Sequence, residues 1–355
     1  GTVGGFSNAT VTTVSNADGG TGLESITSIK YNAPRDYSAQ DRAVTAEDYK
    51  TLVKSLYANA QSVQVYGGED AAVPDYGKVY ISIKAKSGSN LTVVTKESLV
   101  QSLKSYAVAS VTPVIIDPET TFITLTVNFR YNSGLTVKDV TTLQTNVLTQ
   151  ITAYNNDTLE DFAGMFRYSQ LLQTVNEADT SILSNITTVK MYKLVTPTLS
   201  EALKYTVSFN NALYNPHSGH NMTGGGIISS TGFKISDDDS VSEHFLDDNG
   251  SGVLRVYYLN GSTRVYTDST YGTVDYATGE VILTSANITS ISNVDGATST
   301  QIRVFAIPSS NDIVPVRNQV LEIDTSNSTI TGEVDGIVSG GSQAGTTYTT
   351  SSSYS

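Results

Sequence analysis

The stretch that decides the fold reads Tyr31-Asn-Ala-Pro-Arg-Asp-Tyr-Ser-Ala-Gln-Asp-Arg-Ala-Val-Thr-Ala-Glu-Asp-Tyr49, then resumes as Val65-Tyr-Gly-Gly-Glu-Asp70 and Tyr76-Gly-Lys-Val-Tyr-Ile-Ser-Ile-Lys84. Thr45 is placed to cap a helix, with Asp48 three residues on to return the hydrogen bond. Tyr49, Leu52, Val53 and Leu56 then fall on one face at spacings of three and four. That face needs a sheet to cover. Two runs of period two supply it: Val63 and Val65, then Val79, Ile81 and Ile83, joined by a loop holding Gly67, Gly68, Pro74 and Gly77. The stretch predicts a helix followed by a hairpin. Arg42, Thr45, Asp48, Tyr49, Leu52, Gly67, Gly68 and Gly77 are the residues expected to organise it.

Working outward, the chain has 355 residues, enough for more than one core. Its charged fraction is 15%, below the roughly 25% typical of soluble domains, and hydroxyl residues take up the difference. A net charge of -13 argues against binding phosphate backbones, which relies on clustered Lys and Arg. Nucleic acid is not an expected partner. With no cysteine there is no disulfide framework and no thiolate site, and no run of 18 apolar residues is present to span a bilayer as a helix.

Residues 1–23 read as an arm or the end of a preceding domain. Residues 24–197 read as an α+β unit with helices packed on a mostly antiparallel sheet. A second helix starts at Thr95 and turns Leu99, Leu103 and Tyr106 inward; strands follow at Val114–Asp117 and Phe122–Tyr131. Thr136 and Asp139 repeat the earlier helix start, and Val140, Leu143, Val147, Ile151 and Tyr154 make the third helix amphipathic. A shorter helix carries Leu171, Leu172 and Val175, and a strand runs from Thr187 to Val195. Two successive hairpins, each followed by a helix, suggest an internal duplication. From Thr198 the helical period vanishes, and residues 198–324 read as a β-rich domain for dimerisation or partner binding. Asn260-Gly261 predicts a hairpin with a type I′ turn and positive φ at both residues. Residues 325–355, rich in Gly, Ser and Thr, read as a tail.

The strings Asn32-Ala-Pro34, Arg42-Ala-Val-Thr-Ala-Glu-Asp-Tyr49, Gly67-Gly-Glu-Asp70, Tyr76-Gly-Lys-Val79, Ile116-Asp-Pro-Glu119, Phe166-Arg-Tyr-Ser169 and Ser181-Ile-Leu-Ser-Asn-Ile-Thr-Thr188 together resemble the C-terminal portion of the wedge subunits (gene product six) of T-even-type contractile-tailed phages, within the baseplate J-like family. The likeness covers roughly residues 24 to 195, with a weaker echo in Gly272-Thr-Val-Asp-Tyr-Ala-Thr-Gly279. It implies a structural protein of the virion, with copies arranged in a ring around the tail hub. It also implies pairing of the chain with itself, contacts to other wedge and hub proteins, assembly in the host cytoplasm, and a part in transmitting the change that triggers sheath contraction.

Chemistry finds little to use. His217-Ser-Gly-His220, with His244 as a third member, lacks the four Cys or His ligands that structural zinc demands. Asp237-Asp-Asp239 and Asp247-Asp-Asn-Gly250 suggest calcium, but an EF-hand loop from Asp247 puts Tyr258 where a bidentate Glu belongs, so a solvated turn is the better reading. Gly77-Lys78 and Gly224-Gly-Gly226 fail the phosphate-loop and dinucleotide fingerprints. No enzyme activity, cofactor, metal or membrane contact is expected. The 21 tyrosines make Tyr257, Tyr258, Tyr266, Tyr271 and Tyr276 candidates for an interface, with ordinary sheet packing as the alternative. The competing function is a secreted or surface adhesin with a carbohydrate-binding β module.

Overall fold

A computed structural model describes residues 26–39, 42–71, 73–86, 90–220, 226–238 and 243–336. The expected arm 1–23, Gly224, Gly225, Asp239 and the last part of the expected tail, 337–355, lie outside these residues. The chain divides into two compact units between Pro118 and Glu119.

The first unit contains helices α1 (Ile26–Ala39), α2 (Ala46–Leu56) and α3 (Val93–Lys104), and strands β1 (Ala60–Gly67), β2 (Lys78–Ala85) and β3 (Thr112–Ile116). At the start of α2, Thr45 Oγ1 accepts the backbone N–H of Asp48 at 3.3 Å, and Asp48 Oδ2 accepts the N–H of Thr45 at 2.8 Å, closing the expected capping box. Such a cap contributes about 1 kcal/mol. β1 and β2 form the expected antiparallel hairpin, with Val63 opposite Ile83 and Val65 opposite Ile81. Tyr49, Leu52 and Val53 of α2 are buried in one cluster with Val63, Val65, Ile81 and Ile83, joined by Leu99 and Leu103 of α3. Leu56 stays exposed. The second helix begins at Val93 rather than Thr95, because Thr92 is the cap and accepts the N–H of Thr95. α1, with Pro34 inside it, has no counterpart in the sequence reading.

The expected second hairpin does not form. β3 returns through the α3 crossover to lie parallel to β2, with Val114 opposite Tyr80 and Ile115 opposite Ile81. The next strand, β4 (Glu119–Tyr131), belongs to the other unit. Asp117-Pro118 supplies the break, since proline donates nothing to a ladder and restricts the residue before it. The duplication is therefore not seen, and the α+β segment 24–197 spans parts of two units rather than one.

In the second unit, α4 (Val140–Tyr154) and α5 (Tyr168–Asn176) follow β4 and precede β5 (Ile182–Val195). Ile123, Leu125, Val127, Phe129 and Tyr131 of β4 are buried together with Leu143, Val147, Ile151 and Tyr154 of α4 and with Leu171 and Val175 of α5, as their periods predict. The cap of α4 is Asp139, whose Oδ1 accepts the N–H of Thr142 at 3.0 Å; Thr136 instead takes the N–H of Lys138. In the loop before β5, Asp179 accepts from Lys138 Nζ at 2.5 Å and from the backbone and hydroxyl of Ser181.

The β-rich stretch holds β6 (Ala202–Ser208), β7 (Ser229–Ser230), β8 (Phe233–Ile235), β9 (Phe245–Asp248), β10 (Val253–Asn260), β11 (Thr263–Asp275), β12 (Glu280–Ile291), β13 (Ile302–Ala306), β14 (Gln319–Ile323) and β15 (Thr329–Val334). One sheet runs β6-β12-β11-β10-β9, with β8 also on β12. The other runs β14-β4-β5-β13-β7, with β15 also on β4. The last three strands thus complete the sheet begun by β4 and β5, and the stretch 198–324 does not stand apart as a body of its own. Val304 and Ala306 of β13 and Val320, Leu321 and Ile323 of β14 are buried, which gives this return its driving force. Part of the expected tail is likewise ordered, as β15 pairs in parallel with β4 from Thr329 opposite Thr126 to Val334 opposite Tyr131. The overall class is α+β and β-rich, as expected.

Candidate assembly surface

The hairpin of β10 and β11 carries most of the predicted interface tyrosines. Its turn is Gly261-Ser262, since Asn260 pairs with Thr263, and of these residues Gly261 alone has positive φ, at 64°. That is the pattern of a type II′ turn rather than the expected I′. Arg-Val-Tyr occurs on both sides of the turn, at Arg255–Tyr257 and Arg264–Tyr266. The register sets Tyr257 directly opposite Tyr266 and Leu259 opposite Arg264, so each arginine reaches the other strand's tyrosine diagonally. Arg255 lies 4.3 Å over the Tyr266 ring and Arg264 4.5 Å over the Tyr257 ring. Phe245 of β9 extends the row, 5.8 Å from Tyr257 between ring centres.

Asp247 holds this arrangement from beneath. Its Oδ1 accepts Arg255 Nε at 2.9 Å, and its Oδ2 accepts Arg264 Nη1 at 2.8 Å and the Tyr266 hydroxyl at 2.9 Å. Asp248 points to the opposite face, where it accepts from the Tyr276 hydroxyl at 2.6 Å and from the backbone of Ile228 and Gly250. Both aspartates are buried, at 1% and 0% exposure, so the solvated turn expected at Asp247–Gly250 is corrected: a carboxylate leaves water when enough donors replace it. Burial, and then the bond to Asp247, push the Tyr266 hydroxyl above its ordinary pKa. Burial pushes Tyr257 in the same direction.

The five tyrosines accordingly divide. Tyr257 and Tyr271 are buried inside their own chain, and Tyr276 is half-buried with its hydroxyl on Asp248. Tyr258 packs edge-on to His244 at 6.0 Å, and Tyr266 is half-exposed on the arginine face. Ordinary sheet packing thus accounts for most of their surface. Beside the exposed turn residues 260–263, Leu259, 50% exposed, and the edge of Arg264 reach solvent at this end of the hairpin.

The histidines do not converge. His217 and His220 meet, with Nε2 and Nδ1 3.3 Å apart. His244 is fully buried with its Nε2 3.5 Å from Asp238, and burial holds its pKa below the ordinary value against the pull of that carboxylate. Among the described residues no group of three or more His, Cys, Asp or Glu is placed to hold a metal ion. Among the described residues no helix is long and apolar enough to cross a membrane.

Of the residues expected to organise the first unit, Tyr49 and Leu52 share its buried cluster. Gly77 has φ at 80°, and Gly68 leaves room for the carbonyl of Asp75, which a Cβ would approach to 1.8 Å. Gly67 closes β1, and Arg42 precedes Ala43, whose N–H donates to the Tyr106 carbonyl at 2.9 Å. Sequence reasoning read Asp247 only as part of a solvated turn and missed Arg255 and Arg264. The signal was present in the repeated Arg-Val-Tyr around the turn, in a chain with eight arginines in all.

Known proteins resemble this chain over the same segments. The family described as baseplate structural protein gp6, C-terminal domain I, matches residues 45–116, and that described as gp6, C-terminal domain III, matches residues 119–194. The border between the two matches falls where the structure divides. Baseplate wedge protein gp6 of Enterobacteria phage T4 is 32% identical over 180 residues, covering 50% of this chain and 27% of that protein. The chain therefore spans about a quarter of the length of this relative. The 6-fold symmetrised cryo-EM structure of the anti-feeding prophage baseplate contains a chain with a TM-score of 0.34 at 16% identity, covering 47% of this chain and 37% of the other, a likeness too small to argue from. Over residues 45–116 and 119–194, the chain is similar to C-terminal domains I and III of the gp6 baseplate structural protein.

Proposed function

We propose that this protein is a structural component of the baseplate wedge in a contractile phage tail, located in the virion and working through subunit contacts. The observation that carries this reading is the succession of gp6 C-terminal domains I and III, supported by 32% identity to the wedge protein of phage T4. In this reading, copies form a ring around the tail hub and bind other wedge and hub proteins. The ring helps pass on the change that triggers sheath contraction. Assembly takes place in the host cytoplasm, and no catalytic role is assigned. A low charge fraction and a surface rich in hydroxyls suit permanent contacts.

The test is an image of the native particle containing this chain. A ring or wedge at the end of a contractile tail is expected, and a location on the capsid or on a cell surface would overturn the reading. By itself the chain is expected to form a dimer through its β-rich half, with partner proteins needed for anything larger, because a closed ring takes two distinct contacts per copy. Light scattering at tens of micromolar, with hydrogen exchange mapping protection to residues 198–324, checks this. A strictly monomeric chain, or protection confined to residues before 198, would sink it.

A further inference from the structure

We propose that Arg264 is a preset anchor for a carboxylate on a partner protein, with Leu259 as the apolar seat for that partner's neighbouring side chain. The proposal rests on the assembly reading for the kind of partner. A guanidinium carries five N–H donors in a rigid fork. Asp247 takes one of those of Arg264, through Nη1, and among the described residues Arg264 makes no other hydrogen bond. The side chain is nonetheless fixed, by that bond and by the Tyr257 ring beneath it at 4.5 Å, while 33% of it remains exposed.

Asp247 is one carboxylate shared by two guanidiniums, Arg255 and Arg264, and both its oxygens are engaged. The exposed edge of Arg264 thus presents positive charge on a chain of net charge -13. A polyphosphate partner would meet that overall negative charge, whereas a single carboxylate meets chiefly the guanidinium in front of it. An arginine already stacked and bonded loses little side-chain freedom on binding, and its fork fits a carboxylate with two parallel bonds. Leu259, directly opposite on β10 and half-exposed, adds an apolar contact on the same face. Arginine and tyrosine are the residues that most often dominate interface energies.

The test titrates the blocked dipeptide acetyl-Leu-Asp-amide into the intact chain while following the Leu259 methyl and Tyr266 ring resonances by NMR. A saturable shift in the millimolar range is expected, with acetyl-Leu-Asn-amide at least tenfold weaker. Arg264→Gln should abolish it and Arg264→Lys weaken it several-fold. Both variants leave Asp247 its bonds from Arg255 and Tyr266, so both should still fold, Arg264→Gln at a lowered melting temperature because the buried carboxylate loses one donor. If Arg264→Gln fails to fold, Arg264→Lys and the Asn dipeptide carry the test. No shift, an equal shift with the Asn dipeptide, or an equal response to inorganic phosphate would each overturn the proposal. None of these outcomes touches the particle image that tests the assembly reading.

Discussion

Gly68 sits where two backbones nearly touch, since a Cβ there would lie 1.8 Å from the Asp75 carbonyl oxygen. Gly68→Ala should therefore lower stability by about 1–3 kcal/mol, the usual penalty for forcing atoms into filled space. Gly67→Ala should cost less, because the atoms in its way belong to the movable carboxylate of Glu69. Thermal melts of the two variants compare them directly; equal losses would contradict the argument. Asp179 makes a second case at this scale. The Lys138 ammonium, with the backbone and hydroxyl of Ser181, holds its carboxyl at about 2, below the ordinary 3.8. Because the folded value is depressed, its stabilisation is full above the ordinary value and fades as pH falls from about 4 to about 2. Asp179→Asn should lower stability at neutral pH by about 1–2 kcal/mol and flatten the acid limb of the stability curve. An unchanged acid limb would show that these contacts do not bias the carboxyl.

Among elements, α2 makes the sharpest prediction. Its buried face includes Tyr49 and Leu52, so Leu52→Asp or Tyr49→Asp places a charge in the first unit's core and should cost about 3–5 kcal/mol. Calorimetry should show loss of one transition while the second unit melts as in the wild type. Wild-type melting in both variants would mean the wrong face had been identified. This helix was legible because its cap and its period are local: Thr45, Asp48 and the spacing from Tyr49 to Val53 need no knowledge of the rest of the chain. The same holds for Leu143, Val147 and Ile151 in α4. Strand partners are a different matter, since β3 and β4 are neighbours in sequence yet pair with β2 and β5. Nothing in the alternation of Val114 or Ile123 encodes that choice. The Arg264 site was hidden for a related reason: only the register of the hairpin sets each arginine over the opposite tyrosine.

For the whole molecule, the return of β13, β14 and β15 decides where the chain can be cut. Ending it at Thr196 removes four strands, β7, β13, β14 and β15, from the sheet of β4 and β5 and uncovers the edges of β4 and β5. That truncated chain should aggregate. Ending it at Gly336 leaves β1 to β15 in place, including the bond from the Asp335 N–H to the Tyr131 carbonyl at 2.8 Å, and should leave solubility and melting unchanged. Loss of solubility on removing residues 337–355 would mean that they belong to a core. The same return has a mechanical side. Glu119 opens β4, Val334 closes β15, and β14 and β15 both run parallel to β4. Tension applied between Glu119 and Val334 therefore tries to slide β4 along its two partners, loading the rungs of both ladders together. A hairpin pulled apart at its open ends surrenders its rungs one after another. In an optical trap, handles at Glu119 and Val334 should give a clearly higher rupture force than handles at Val253 and Asp275. Equal forces would mean that the parallel ladders do not carry the load. A segment tethered through these two residues would then act as a tension-bearing link, passing a pull along its length without coming undone.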